Sequence, residues 1–235
     1  MDPEVLRTRF AELTTAHIAD ACIRAHVPVR CAPAGVRAVV PGSRMAGRVL
    51  PTRHVGSVDV FLEAYESATP GDVLVVDNGG REDESCVGDL AVLEAQAAGL
   101  QGVVIWGLHR DTVDIQAIGL PVFSVGSLST GPQRLDPRPD DALESASVGE
   151  WTVGQADIVF GDDDGVIFAP AAEVDRLLTL AESIRDTERR QAERIRAGET
   201  LRDQLGFATY LQRRREQPAL TFREHLRNVG GAIEE

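Results

Sequence analysis

Pro70-Gly71-Asp72-Val73-Leu74-Val75-Val76-Asp77-Asn78-Gly79-Gly80 is the stretch on which the reading of the fold turns. A Pro-Gly-Asp turn feeds four consecutive aliphatic residues, and Asn-Gly-Gly ends the run. An apolar run of this length has no polar face. It therefore predicts a strand buried on both sides, as in parallel sheets. The same pattern returns at residues 102–106, closed by Gly107, and at residues 120–125, opened by Gly119. Between these runs the sequence predicts a helix over 85–98, stopped by Gly99, and a short helix opened by Asp111 and stopped by Gly119. A strand-helix-strand-helix-strand rhythm implies parallel strands joined by helical crossovers. Ligands of such sheets gather at the carboxyl ends of strands. Asp77, Asn78, Gly107, Arg110 and Asp111 all fall there.

Outward from this centre, residues 4–13 read as a helix, and Thr14 or Thr15 caps a second helix through Ile18, Cys22 and Ile23. Residues 35–53 read as two strands around the Pro41-Gly42 turn, and 59–67 as a helix with Val60, Phe61 and Ala64 on one face. Residues 142–169 read as short strands with a tight turn at 161–165. The chain then reads as helical to about residue 197, with Gly198 as a stop. The expected organisation is one domain over 1–198 and a helical extension over 199–235, packed on its own or a neighbouring subunit. Residues 185–227 hold 11 of the 24 arginines, and Arg213-Arg214-Arg215 is the densest basic run.

The chain has 235 residues and a net charge of −13. A broadly acidic surface argues against nucleic acid as a ligand, because phosphate binding needs a basic face. Three scattered cysteines, Cys22, Cys31 and Cys86, lack CxxC spacing and fit reduced thiols in a cytoplasmic protein. Cys86 lies near Gly88-Asp89 and is either a nucleophile or a small packing residue; the latter is the simpler reading. The first ten residues have no apolar core of a signal peptide, and no apolar run is long enough to cross a bilayer. All 24 basic residues are arginine. Without lysine, carbon-carbon chemistry on a keto acid cannot use a Schiff base and must use a metal or an oxyanion site.

Gly88-Asp89-Leu90 and Arg110-Asp111 sit at two loop-helix junctions, with twenty residues between Asp89 and Arg110. A guanidinium offers a planar fork that matches a carboxylate. The neighbouring acids supply oxygen ligands, and no His or Cys stands at zinc-site spacing, so Mg²⁺ or Mn²⁺ is the expected cation. The helix starts at Leu90 and Asp111 add amide donors for an anion.

These motifs, in this order, resemble the family that joins the regulator of ribonuclease activity A (RraA) to the class II 4-hydroxy-4-methyl-2-oxoglutarate aldolases. The resemblance runs from about Asp20 to Glu199. It rests on residues 70–77, Gly79-Gly80, Gly88-Asp89-Leu90, residues 102–105, Gly107, Arg110-Asp111, residues 119–123, residues 157–159 and residues 162–166. It implies a compact α/β fold of the swivelling β/β/α type with a C-terminal helical extension. It implies Asp111 as direct metal ligand, Asp89 as an acid acting through metal-bound water in proton transfer, and Arg110 as the residue that binds the pyruvoyl unit and its enolate. The backbone at Leu90 and Ala91 would receive the substrate carboxylate. Glu188 is the best match to an acid brought through water to the metal from a neighbouring subunit of a homotrimer or dimer of trimers. Trp106 and His109 depart from the family pattern and are expected to reshape the pocket. The tail after Gly206 extends beyond the compact aldolases.

The resulting expectation is a divalent-metal-dependent carbon-carbon lyase of aldolase and oxaloacetate decarboxylase type, acting on a small 2-oxo acid. The alternatives are a non-catalytic regulator that binds a ribonuclease or other protein, and a metal-dependent sugar-acid dehydratase.

Overall fold

The computed structural model describes residues 1–229. Two helices open the chain, α1 (Pro3–Ala11) and α2 (Thr15–Ala25). Asp2 caps α1 by accepting from the amides of Glu4 and Val5. Thr14 caps α2 by accepting from the His17 amide, while the Thr14 amide donates to the His17 ring. Two short strands, β1 (Arg30–Cys31) and β2 (Arg37–Ala38), lead into β3 (Met45–Arg53) and α3 (Asp59–Glu66). The central run is β4 (Val73–Asp77), β5 (Ser85–Val87), α4 (Asp89–Ala97), β6 (Gly102–His109), α5 (Thr112–Ile118) and β7 (Val122–Ser127). A hairpin of β8 (Ser145–Val148) and β9 (Trp151–Gly154) precedes β10 (Asp157–Asp162) and β11 (Gly165–Pro170). The helices α6 (Val174–Arg196), α7 (Leu201–Gln204), α8 (Phe207–Glu216) and α9 (Phe222–Val229) complete the described chain.

The main sheet has the order β1-β11-β10-β3-β4-β6-β7-β2, with β5 added on β6. Its middle, β3-β4-β6-β7, is parallel, as the buried apolar runs require. The β10–β11 hairpin pairs antiparallel onto β3. The sheet curls until its edges approach, and Arg37 of β2 donates to the Asp164 carbonyl in the β10–β11 turn at 2.6 Å. Apolar residues fill three regions. Helices α1, α2 and α6 cover one face through Leu6, Phe10, Ile18 and Leu177. Helices α3, α4 and α5 cover another through Phe61, Val92 and Ile115. The interior of the curl holds Met45, Val75, Phe123 and Phe168, with Val148 and Val153 of the small hairpin.

Two boundaries differ from the sequence reading. Strand β6 runs through Gly107 to His109, where residues 102–106 were expected. The predicted helix over 85–98 is instead a three-residue strand, β5, followed by a helix that begins at Asp89. Tertiary pairing wins here, because the amide of Ser85 donates to Thr130 and Val87 pairs with His109. Beyond α6, Phe207, Tyr210 and Phe222 form a local aromatic cluster with ring centroids 4.9 to 5.7 Å apart. Residues 230–235, the end of the expected extension, lie outside the described residues.

Candidate active site

Strand β5 runs beside β6 in parallel, with Val87 opposite His109, and the Arg110 amide donates to the Val87 carbonyl at 2.9 Å. The pairing explains why two segments twenty residues apart meet. Gly88-Asp89 and Arg110-Asp111 are the next residues of two neighbouring strands, at the same carboxyl end. A Cβ added to Gly88 would lie 2.5 Å from Asp111 Oδ2 and 3.3 Å from Arg110 Nε. The Asp111 carboxylate thus rests over the Gly88 backbone. Arg110 Nε stands 3.4 Å from Asp111 Oδ2, with side chains 51% and 36% exposed. An exposed pair of this length adds little stability, so stability does not account for the arrangement.

Asp111 sits at φ 59°, ψ 40°, in the left-handed region, where among non-glycine residues described only His26 joins it. Such a backbone costs on the order of 1 kcal/mol and concentrates at functional sites. Its effect is to aim the Asp111 carboxylate back at Gly88 instead of capping α5, whose first turn takes no side-chain cap bond. Helix α4 likewise lacks a side-chain cap, because its N-cap is Gly88. Its first-turn amides, at Asp89, Leu90 and Ala91, are therefore open to an anion. Tyr65 Oη donates to the Ala91 carbonyl at 2.9 Å and fixes that turn.

Gly88→Ala is a direct check of this packing. The added methyl would occupy the place of the Asp111 carboxylate, so turnover on any substrate of the site should fall about tenfold or more, as misplacement of a reacting group by about 1 Å can cost even more. The melting temperature should move by only a few degrees. Activity equal to the parent would mean that Asp111 does not work from this position.

Arg110 stands between two cavities. One, of about 360 Å³, is lined by His54, Val58, Asp89, Leu90, Ala91 and Arg110, among others. The other, of about 400 Å³, is lined by Arg110, Asp111, Thr112, Ser127, Leu128 and Ser129. Four of the expected residues, Asp89, Leu90, Ala91 and Arg110, thus share the first cavity, and Asp111 lies in the second. Glu188 does not join them within one chain. It lies on α6, 3.0 Å from His17 Nε2, in a separate cavity with Leu13, Arg44 and Arg185.

Trp106 and His109 line neither cavity, contrary to expectation. Both are residues of β6, Trp106 within the expected strand and His109 in its extension. The Trp106 indole lies against Gly80, where a Cβ would come within 2.6 Å of the ring. His109 is buried, with Nδ1 2.7 Å from Ser124 Oγ and Nε2 3.0 Å from Thr112 Oγ1. Burial holds its pKa below the ordinary range, so the ring is neutral and bridges β7 to the start of α5. It positions the Arg110-Asp111 turn. Cys86 lines the first cavity, but burial pushes its thiol pKa up and Sγ donates to the Leu108 carbonyl at 3.7 Å, which favours the packing reading.

The sequence reading missed a buried polar cluster under the first cavity. Glu84 is 4% exposed and accepts from Arg134 Nε at 3.1 Å and Nη2 at 2.9 Å. Arg134 Nη2 also donates to Asn78 Oδ1 at 3.0 Å, and His54 Nδ1 lies 2.9 Å from that same oxygen. His54 follows β3 as Asn78 follows β4, so the carboxyl-end rule that found Arg110 would also have found His54. Arg134 lies in the irregular stretch after β7, and no local pattern marks it.

For a metal, the available donors are carboxylate oxygens. Among the described residues no group of three or more His, Cys, Asp or Glu could hold a metal ion. Asp89 and Asp111 line the two cavities that meet at Arg110, and one or two carboxylates with several retained waters is the donor set that Mg²⁺ takes.

Residues 15–168 match the model of the RraA-like family, described as Aldolase/RraA. Protein DlpA of Legionella pneumophila is 32% identical over 130 residues, 55% of this chain and 21% of its own length. A Methanocaldococcus jannaschii protein is 33% identical over 54% of this chain and 61% of its own length. The chain therefore spans under two thirds of both. A Dechloromonas aromatica protein named "Putative 4-hydroxy-4-methyl-2-oxoglutarate aldolase" is 30% identical over 58% of this chain and 87% of its own length. Among solved structures, an uncharacterized protein from Pseudomonas syringae pv. tomato superposes with a TM-score of 0.72 at 26% identity, covering 84% of this chain and 95% of that one. Streptomyces coelicolor RraAS2, a member of the RNase ES inhibitor RraA protein family, superposes at 0.68 and 22% identity over 80% and 97% of the two chains, which speaks for the fold alone. With strand order, glycine-bound acid and uncapped helix already in place, the family match over residues 15–168 decides the classification: the chain belongs to the RraA-like family.

Proposed function

We propose that the protein is a divalent-metal-dependent lyase that cleaves a small 2-oxo acid through a pyruvate enolate. The observation that carries this reading is the Asp111 carboxylate, seated over Gly88 in a left-handed backbone, beside Arg110 and the uncapped start of α4. The relatives named as aldolases support it at the level of reaction class. Asp111, with Asp89 acting through water, would hold Mg²⁺ or Mn²⁺, which when bound would polarise the keto oxygen of the substrate. Arg110 and the amides of Leu90 and Ala91 bind the substrate carboxylate. Asp89 directs removal of the proton from the C4 hydroxyl as the C3–C4 bond breaks. The bonding pair stays on C3 as an enolate facing Arg110, the C4 fragment leaves as an aldehyde or ketone, and protonation of C3 gives pyruvate. Oxaloacetate would lose CO₂ by the same bond cleavage and leave the same enolate.

The assembly we propose is a homotrimer or dimer of trimers in the cytoplasm, with Glu188 of one protomer approaching the site of the next. Leu90, Leu93 and Val113 stand 75%, 50% and 76% exposed on α4 and α5 around the site, an apolar surface that a second subunit would cover. Among the described residues no helix is long and apolar enough to cross a membrane.

The deciding measurement is pyruvate release from oxaloacetate with Mg²⁺ and with EDTA. Release should be restored by Mg²⁺ and fall to the uncatalysed rate in EDTA. An absence of metal-dependent turnover on any 2-oxo acid would sink the proposal and favour a binding role.

A further inference from the structure

We infer that the cavity beside Arg110 takes the distal half of the substrate, that this half is uncharged, and that His54 Nε2 accepts a hydrogen bond from a hydroxyl on it. This rests on the reading that the pyruvoyl end is held at Asp89, Arg110, Asp111 and the amides of Leu90 and Ala91, four of which line the same cavity, so that the distal half takes the remaining lining.

The cavity, at about 360 Å³, falls within the range of small-molecule sites, roughly 300–1,000 Å³. Its walls beyond Asp89 and Arg110 are mostly apolar, with Val58, Ala91 and Pro132 among them. The Ser85 hydroxyl, also in the lining, donates to the Thr130 carbonyl at 2.8 Å. His54 is what remains to address a ligand.

Its protonation pattern follows from its neighbours. Arg134 can only donate, so the amide group it meets on Asn78 must be the oxygen. That oxygen lies 2.9 Å from His54 Nδ1, so Nδ1 carries the hydrogen and Nε2 carries the lone pair. No hydrogen bond to Nε2 occurs among the described residues, and His54 is one of the residues lining the cavity, its side chain 2% exposed. Stacking on Phe61, at 5.4 Å between centroids and 15° between planes, fixes the ring orientation. The charged groups around the ring are Asn78-bound Arg134, Glu84 with its carboxylate 3.9 Å from Nδ1, and Asp59 on α3. Burial, the largest influence, keeps the ring neutral. A neutral acceptor at the end of an apolar pocket selects a hydroxyl and disfavours a carboxylate. The nearest further cation, Arg134, is taken by Glu84 and Asp136.

The test uses the full-length protein with Mg²⁺ and three substrates: oxaloacetate, 4-hydroxy-2-oxopentanoate and 4-hydroxy-2-oxoglutarate. For the parent, kcat/KM on the pentanoate should exceed that on the glutarate by about tenfold or more, as an unpaired buried polar group rejects a mismatched ligand. Val58→Arg, at a position 51% exposed and so tolerant of change, should shift that ratio about tenfold toward the glutarate by adding a cation. His54→Phe should lower kcat/KM for the pentanoate relative to oxaloacetate by about tenfold, mainly through KM. Equal use of both hydroxy acids by the parent, or ratios unmoved by Val58→Arg, would overturn the inference while leaving the lyase reading intact. Failure of all three substrates with metal would remove both.

Discussion

Asp111→Asn should lower metal-dependent pyruvate release by about 10²-fold or more, the usual cost of deleting one charged group aimed at developing charge. The melting temperature should stay within about 2 °C of the parent. The choice of asparagine is physical. Position 111 needs φ near 59°, which Asn and Asp tolerate better than other side chains. Asn also keeps the volume that packs over Gly88. Alanine would lose the charge and also strain the turn, so an inactive Asp111→Ala would be ambiguous. Arg110→Ala should cost about as much, because its guanidinium is half exposed and contributes little to stability. If the two act on one enolate, the double variant should lose far less than the product of the single losses. Full activity in both single variants would remove Asp111 and Arg110 from the site.

Much of this site was legible because it is written in local signals. The apolar runs at 73–76 and 103–105 can only be buried parallel strands, and the rule that ligands sit at their carboxyl ends pointed to Arg110-Asp111. Gly119 marked the end of α5 because the helix stops in a left-handed turn, at φ 77°. What stayed hidden depends on contacts between distant residues. Strand β5 is three residues long and exists because β6 and Thr130 complete its hydrogen bonds, so Ser85-Cys86-Val87 read as helix. Trp106 and His109 drew attention as departures from the family pattern, and His109 also because Gly107, where the register of β6 shifts, hides the last two residues of that strand. The pairing of Arg134 with Glu84 spans fifty residues and passes through a stretch without helix or strand, so no periodicity could announce it.

That same pair should dominate the stability of the pocket floor. Glu84→Ala should cost about 3 kcal/mol, the low end of the range for removing one partner of a buried ion pair, because Arg134 keeps the exposed carboxylate of Asp136. At this chain length the loss corresponds to a fall in melting temperature of roughly 6–12 °C. Glu84 is 4% exposed and meets two nitrogens of Arg134, while Arg81 Nε stands 3.6 Å away with no hydrogen bond of its own. Without the carboxylate, Arg134 would keep Asp136 and the oxygens of Asn78 and His54, which are weaker anchors. The stretch after β7 should then loosen. Hydrogen exchange should quicken at Ser85 and Asp136, whose amides donate across that stretch to Thr130 and Val55. An exposed pair such as Arg189–Glu12 provides the contrast, because Glu12→Ala should cost under about 1 kcal/mol. A Glu84→Ala loss as small as that one would mean the cluster is a solvated surface network, and His54 would then lack the fixed tautomer that the pocket needs.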